Sequence, residues 1–123
     1  MFSRKRSIGN LGEDIACEFL VNKKHKILTR NYWKPWGEID IVSRAPDGAL
    51  VFVEVKTMAQ EGESLLKPED QADPVKMRKV RKTCEAFART NPHLINVKRG
   101  WRIDLIAIVM REGDPVIRHY ENV

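Results

Sequence analysis

The chain has 123 residues, with 22 Lys and Arg against 17 Asp and Glu for a formal charge of +5, and is 42% hydrophobic against 32% charged. That balance suits one folded domain with its own apolar core and excludes a disordered chain, a collagen-like repeat and a disulfide scaffold. The longest apolar run, Leu105 to Met110, is far short of the ~20 residues a membrane helix needs, so no membrane partner is expected.

The N-terminus begins with the basic stretch Met1-Phe2-Ser3-Arg4-Lys5-Arg6. Gly9, Asn10, Gly12 and Glu13 follow where a signal peptide would carry its apolar stretch, so export is not expected. Cys17 and Cys84 each fall inside a predicted helix and read as reduced thiols of a cytoplasmic protein. The spacing of Ile8, Leu11, Ile15 and Phe19 predicts an amphipathic helix from Ile8 to Lys24, with Asp14 and Glu18 on its far flank. Glu13 falls at the border of that stripe, beside Ala16 and Leu20. It is either a carboxylate reaching toward a sheet or a first-turn acid favoured by the helix dipole. Gly9 and Gly12, costly inside a helix, point to close backbone approach.

Lys26 to Thr29 reads as a short strand, Asn31 to Gly37 as a connector, and Glu38 to Arg44 as a second strand. Pro46-Asp47-Gly48 predicts a turn, and Ala49 to Thr57 a third strand pairing antiparallel with the second. Met58 to Asp73, with Gly62, Pro68 and no periodicity, reads as a mobile loop. Asp73-Pro74 supplies an N-cap and a first-turn proline for a helix to about Asn91. Trp101 to Met110 and Pro115 to Tyr120, the latter at a sheet edge, complete the order α-β-β-β-α-β-β. The chain is read as a single α/β domain over residues 1–123, with its core over about 8–110.

The chemistry concentrates in the second and third strands. With period two, Glu38 and Asp40 share one face of the second strand opposite Ile39 and Ile41, while Phe52, Glu54 and Lys56 share one face of the third. The hairpin can therefore bring Asp40, Glu54 and Lys56 side by side, given the right register. Charges in otherwise apolar strands are costly to bury unless paired or bound to a metal. Two adjacent carboxylates suit a hard cation such as Mg²⁺, and a lysine beside them can hold a water or neutralise a phosphoryl group. The competing reading is that Lys56 simply forms a salt bridge with Glu54 or Asp40. Glu38, one pleat from Asp40, is a candidate hydrogen-bond acceptor behind it. Asp104 is read first as a salt-bridge partner of Arg102, and second as an extra acid near the site.

Two further features suit nucleic acid. Lys76, Arg78, Lys79, Arg81 and Lys82 crowd the start of the second helix opposite an apolar stripe of Met77, Val80, Cys84, Phe87 and Ala88. They form either a phosphate-tracking face, extended by Arg4, Lys5, Arg6, Lys98, Arg99 and Arg102, or an ordinary solvated surface. In Tyr32-Trp33-Lys34-Pro35-Trp36, Trp33 and Trp36 can stack on unpaired bases or pack into a core or interface. His25, His93 and His119 share no metal-ligand spacing.

Gly9-Asn10-Leu11-Gly12-Glu13, Gly37-Glu38-Ile39-Asp40-Ile41-Val42, Phe52-Val53-Glu54-Val55-Lys56-Thr57, the basic second helix and Arg102-Ile103-Asp104 together resemble the YraN family of small bacterial predicted endonucleases. The resemblance runs from about Ile8 to Val109. That family is similar to the archaeal Holliday-junction resolvases and sits with the PD-(D/E)-x-K nucleases of restriction-endonuclease-like (tRNA-endonuclease-like) fold, a mixed central sheet flanked by helices. Ile39 stands where the superfamily's name has proline. The resemblance implies that Asp40, Glu54 and the Val55 carbonyl hold Mg²⁺ or Mn²⁺, that Lys56 is the catalytic lysine, and that Glu13 completes a resolvase-type site. It implies a metal-dependent endonuclease acting on branched or distorted DNA and leaving a 5′-phosphate. A homodimer would let a protein with one site cut two strands. The alternative is a nucleic-acid-binding module on a nuclease fold without turnover.

Overall fold

The computed structural model describes residues 8–59 and 73–123, apart from the side chains of residues 8–10. In chain order the elements are α1 (Ile8–Asn22), β1 (Lys26–Lys34), β2 (Gly37–Arg44), β3 (Leu50–Ala59), α2 (Pro74–Thr90), β4 (Trp101–Met110) and β5 (Val116–Tyr120). A short 3-10 turn, Pro92–Leu94, follows α2. The strands form one mixed sheet in the order β1-β2-β3-β4-β5, with β3 and β4 parallel and the other neighbours antiparallel. The predicted order of elements therefore holds. Parallel pairing of β3 and β4 needs a crossover, which α2 provides.

The two helices cover opposite faces of the sheet. Ala16 and Leu20 of α1 pack with Ile41, Val51, Val53, Ile106 and Ile108, whereas Val80, Cys84 and Phe87 of α2 pack with Val42, Leu50, Phe52 and Ile103. Alternate residues of β3 thus serve two separate cores, as period two requires. Cys17 and Cys84 lie against different faces and are both free thiols. Among the described residues, no helix is long and apolar enough to cross a membrane.

Local sequence explains the element ends. Asp73 caps α2, its carboxylate accepting from the Val75 amide at 2.9 Å with Pro74 in the first turn;. Gly48, with φ of +98°, closes the β2–β3 turn, where Asp47 Oδ1 accepts from the Ala49 amide. Met58 and Ala59 extend β3. Residues 60–72 of the predicted loop, the cluster Arg4, Lys5 and Arg6, and the close approach expected of Gly9 lie outside the described residues.

Three expectations are corrected. The stretch Asn31 to Gly37 is not a connector: β1 continues to Lys34, which pairs with Gly37 across a two-residue turn. Tyr32 and Trp33 favour a strand, and a tight hairpin lets them adopt it. Next, Ile39 and Ile41 do not share a face, since Ile39 packs against α2 and Ile41 against α1. Their β1 partners switch in the same way: Tyr32 stacks edge-on to Phe87 of α2, while Arg30 meets Asp14 of α1. Between them Asn31 takes a left-handed φ of 53°, which rotates the strand between one residue and the next;. Finally, the buried face of α1 centres on Gly12, Glu13, Ala16 and Leu20, and Leu11 is 49% exposed. Small residues decided this orientation. A Cβ on Gly12 would collide with Thr57 Oγ1 of β3, so the helix comes closest to the sheet where it is thinnest;.

Candidate metal centre and nucleic-acid face

The site forms where β2 leaves β3. Their ladder runs from Arg44↔Leu50 to Ile41↔Val53 and stops there, one residue short of Asp40. The Val55 amide, beyond the last pair, donates to Asp40 Oδ2 at 2.8 Å. A side-chain carboxylate thus takes the place of a ladder acceptor for this half-buried amide;. This holds Asp40 in the split, beside Glu54 on β3.

Burial and a neighbouring charge raise the proton affinity of Asp40. The Asp40 carboxyl is pushed up to about 8, first by burial and then by the negative charge of Glu54, against the opposing pull of the Val55 amide. Glu54 is buried and holds the Lys76 ammonium at 2.7 Å from Oε1. Lys76 therefore does not belong to the outward basic face on which the sequence put it. It reaches from the first turn of α2 to the carboxylates, drawn there by Glu54 and also by the charges of Asp40 and Glu38.

Glu13 enters from α1, which the Gly12–Thr57 contact holds close to β3. Its carboxylate is buried, and Oε1 stands 3.6 Å from Arg30 Nε, too far for a hydrogen bond;. Among the described residues neither atom has a hydrogen-bond partner. Burial raises the Glu13 carboxyl above its ordinary value, only partly offset by Arg30, and its charge in turn acts on Asp40. Glu13 is thus turned inward, toward the sheet, and lies beyond the first turn of α1, so the reading of it as a first-turn acid does not hold. Arg30 escaped notice in the sequence; the alternation of β1 was the one signal that could have placed it beside α1.

Lys56 shares its β3 face with Glu54, two residues away along the strand, and is half-buried. Among the described residues it makes no ion pair, so the salt bridge weighed as its alternative role is not formed; Glu54 has Lys76 instead. Glu38 is exposed and, among the described residues, accepts no hydrogen bond, so it does not support Asp40 in the expected way. Among the described residues no three His, Cys, Asp or Glu side chains converge closely enough to hold a metal ion. What does come together is two carboxylates, Asp40 and Glu54, with Glu13 close enough for its charge to act on Asp40. Oxygen donors of this kind suit Mg²⁺, which keeps several waters.

The surface around the site carries both predicted binding features. Arg78, Lys79, Arg81 and Lys82 are exposed on α2, with Arg81 Nη2 also donating to the Val123 carbonyl at 3.3 Å. Trp33 and Trp36 are 67% and 60% exposed at the β1–β2 hairpin tip, while Tyr32 alone packs inward. Gly37 positions this tip: a Cβ there would collide with Thr83 Oγ1 of α2. Trp33 pairs directly with Glu38, two residues before Asp40 along β2.

Asp104 serves another purpose. Fully buried, it accepts from Arg102 Nε at 3.0 Å and the Asn122 amide at 3.0 Å and contacts His119 Nε2 at 2.7 Å. Burial alone would raise its carboxyl; His119, Arg102 and Asn122 outweigh it and hold the group below its ordinary value. The Arg102 salt bridge is the expected one. His119 joins it from β5 and meets Lys23 at 2.9 Å, a contact that spacing along the chain could not indicate.

A family model described as "Uncharacterised protein family UPF0102" matches residues 12–108. A UPF0102 protein of Desulforamulus reducens is 31% identical over 99% of this chain and 98% of its own length. One of Pelobacter propionicus is 39% identical over 88% of this chain and 74% of its own. Among solved structures, Pyrococcus furiosus SfsA in complex with Ca²⁺ aligns with a TM-score of 0.43 and 17% identity. That alignment covers 95% of this chain and 63% of SfsA, so the chain spans less than two thirds of that protein.

Proposed function

The chain belongs to the UPF0102 family, and from that premise we propose that it is a metal-dependent endonuclease that hydrolyses phosphodiester bonds in nucleic acid. Branched or distorted DNA is the favoured substrate. The observation that carries this reading is the carboxyl of half-buried Asp40 held in the β2–β3 split beside the buried Glu54, pushed up to about 8 first by burial and then by the charge of Glu54. Such an arrangement weakens a fold unless a cation uses it. The reading sets the family among the restriction-endonuclease-like PD-(D/E)-x-K nucleases, related to the Holliday-junction resolvases, and assigns it to the cytoplasm.

Asp40, Glu54 and the Val55 carbonyl would hold Mg²⁺ or Mn²⁺, which supplies Lewis acidity toward a phosphoryl oxygen and acidifies bound water. Lys56, on the Glu54 face, orients the attacking water and offsets charge on the phosphate. Glu13, whose Oε1 accepts no hydrogen bond among the described residues, assists at that water. A P–O bond to the water oxygen forms as the bond to the 3′-oxygen breaks, leaving a 3′-hydroxyl and a 5′-phosphate. Arg78, Lys79, Arg81 and Lys82 follow the backbone, and Trp33 and Trp36 stack on bases left unpaired at a junction. Cutting both strands in one encounter calls for a homodimer.

A second reading, a binding module without turnover, draws on one observation: Lys76 already neutralises Glu54 at 2.7 Å. Cleavage of four-way, flapped and linear DNA with Mg²⁺ or Mn²⁺ separates the two. The nuclease reading expects cleavage by wild type and none by Asp40→Asn, with DNA affinity within about twofold. Equal cleavage by both, in preparations free of contaminating nuclease, refutes the site. DNA binding without cleavage of any substrate favours the module.

A further inference from the structure

We propose that Lys76 is an internal counter-cation which a divalent ion must displace from Glu54, and that the displaced ammonium becomes a contact for a substrate phosphate. The inference rests on the metal reading above and assigns a role within that site to a residue of α2.

The contact is lopsided. The Glu54 side chain is 8% exposed and fixed on β3, whereas that of Lys76 is 53% exposed on a flexible stem. Only the lysine can leave without disturbing the core. Its backbone stays put, because Val80, Cys84 and Phe87 anchor α2 to the sheet and Gly37 fits against Thr83.

The position of Lys76 is unfavourable except for the carboxylates. It sits in the first turn of α2, a turn with no acidic residue, where the positive end of the helix dipole opposes a cation;. Arg78, Lys79, Arg81 and Lys82 follow within two turns. What holds the ammonium is the negative charge of Glu54, supported by Asp40 and Glu38. A cation taken up by Asp40 and Glu54 cancels that attraction, and dipole and neighbours then repel the ammonium outward. It comes to rest beside the exposed basic face, at the end nearest the carboxylates. Lys56 is no substitute, since among the described residues it pairs with neither acid.

Calorimetric titration with Mn²⁺, without nucleic acid, tests the displacement on wild type, Lys76→Met and Lys76→Arg. The exposed half of the ion pair sets the scale, so Lys76→Met should bind Mn²⁺ about three- to tenfold more tightly. Lys76→Arg keeps the pair and should stay within about twofold of wild type. Salt titrations of four-way-junction binding test the second role. With Ca²⁺ bound, the slope of log K against log salt should fall by about one in Lys76→Met, and in EDTA it should not change. Unchanged or weaker Mn²⁺ binding by Lys76→Met overturns the displacement, and an unchanged slope in Ca²⁺ overturns the phosphate contact; both leave the nuclease reading standing. Failure of wild type and Lys76→Met alike to take up Mn²⁺ overturns the metal reading and this inference with it.

Discussion

Replacing Asp40 by Asn should stabilise the metal-free protein while removing its affinity for divalent cations. The Asp40 carboxyl is pushed up to about 8 from an ordinary value of 3.8, so between those limits the folded chain binds a proton that the unfolded chain has released. Stability from this group is complete below the ordinary value and is lost as pH rises toward 8, by about 1.4 kcal/mol per pH unit at most. Asn carries no charge, its carbonyl oxygen can still accept from the Val55 amide, and its amide can donate to Glu54. Part of the loss remains, since Glu54 stays buried, so the expected gain near pH 8 is about 1–3 kcal/mol. For a domain of this size that is of order 3–10 °C in Tm. Denaturant unfolding in EDTA at several pH values between 5 and 9 reads it directly. The variant's advantage should grow with pH and level off above about 8. A variant less stable than wild type at pH 8, or an advantage that does not change with pH, would refute the crowded-carboxylate account.

Gly12→Ala should cost about 1–3 kcal/mol by forcing α1 off Thr57, and Thr57→Ala in the same chain should restore part of it;. Denaturation midpoints would show both effects. Asp104→Asn should lose about 3–5 kcal/mol at neutral pH, because Arg102 and His119 lose their carboxylate;. The Asp104 carboxyl is held below its ordinary value, so its contribution is present above that value and disappears as pH falls through the folded one;. Acid unfolding curves below about pH 4 should therefore be steeper for wild type than for the variant. Trp33→Ala and Trp36→Ala should change stability by less than about 0.5 kcal/mol, given their exposure;. Each should weaken junction binding by about 1–3 kcal/mol per stacked base while leaving linear duplex binding unchanged; equal losses on both DNAs would count against stacking.

The sequence by itself determined the element order, the α2 cap and the pairing of β2 with β3, since each depends on residues close in the chain. Hydrophobic period, the Asp73-Pro74 start and the Pro46-Asp47-Gly48 turn act locally. It also put Asp40, Glu54 and Lys56 together as candidates, because charges inside two apolar strands stand out. Only the tertiary structure decided what each charge meets. Lys76 looked like any other member of a basic helix face until α2 crossed the sheet beside Glu54. Leu11 belonged to the apolar stripe by spacing, yet Gly12 and Ala16 let the helix approach on their side and left it exposed. The left-handed turn at Asn31 moved Ile39 and Tyr32 to the α2 face, against simple alternation. Such outcomes depend on which surfaces come into contact, and on how closely small residues let them approach, which periodicity along one chain does not encode.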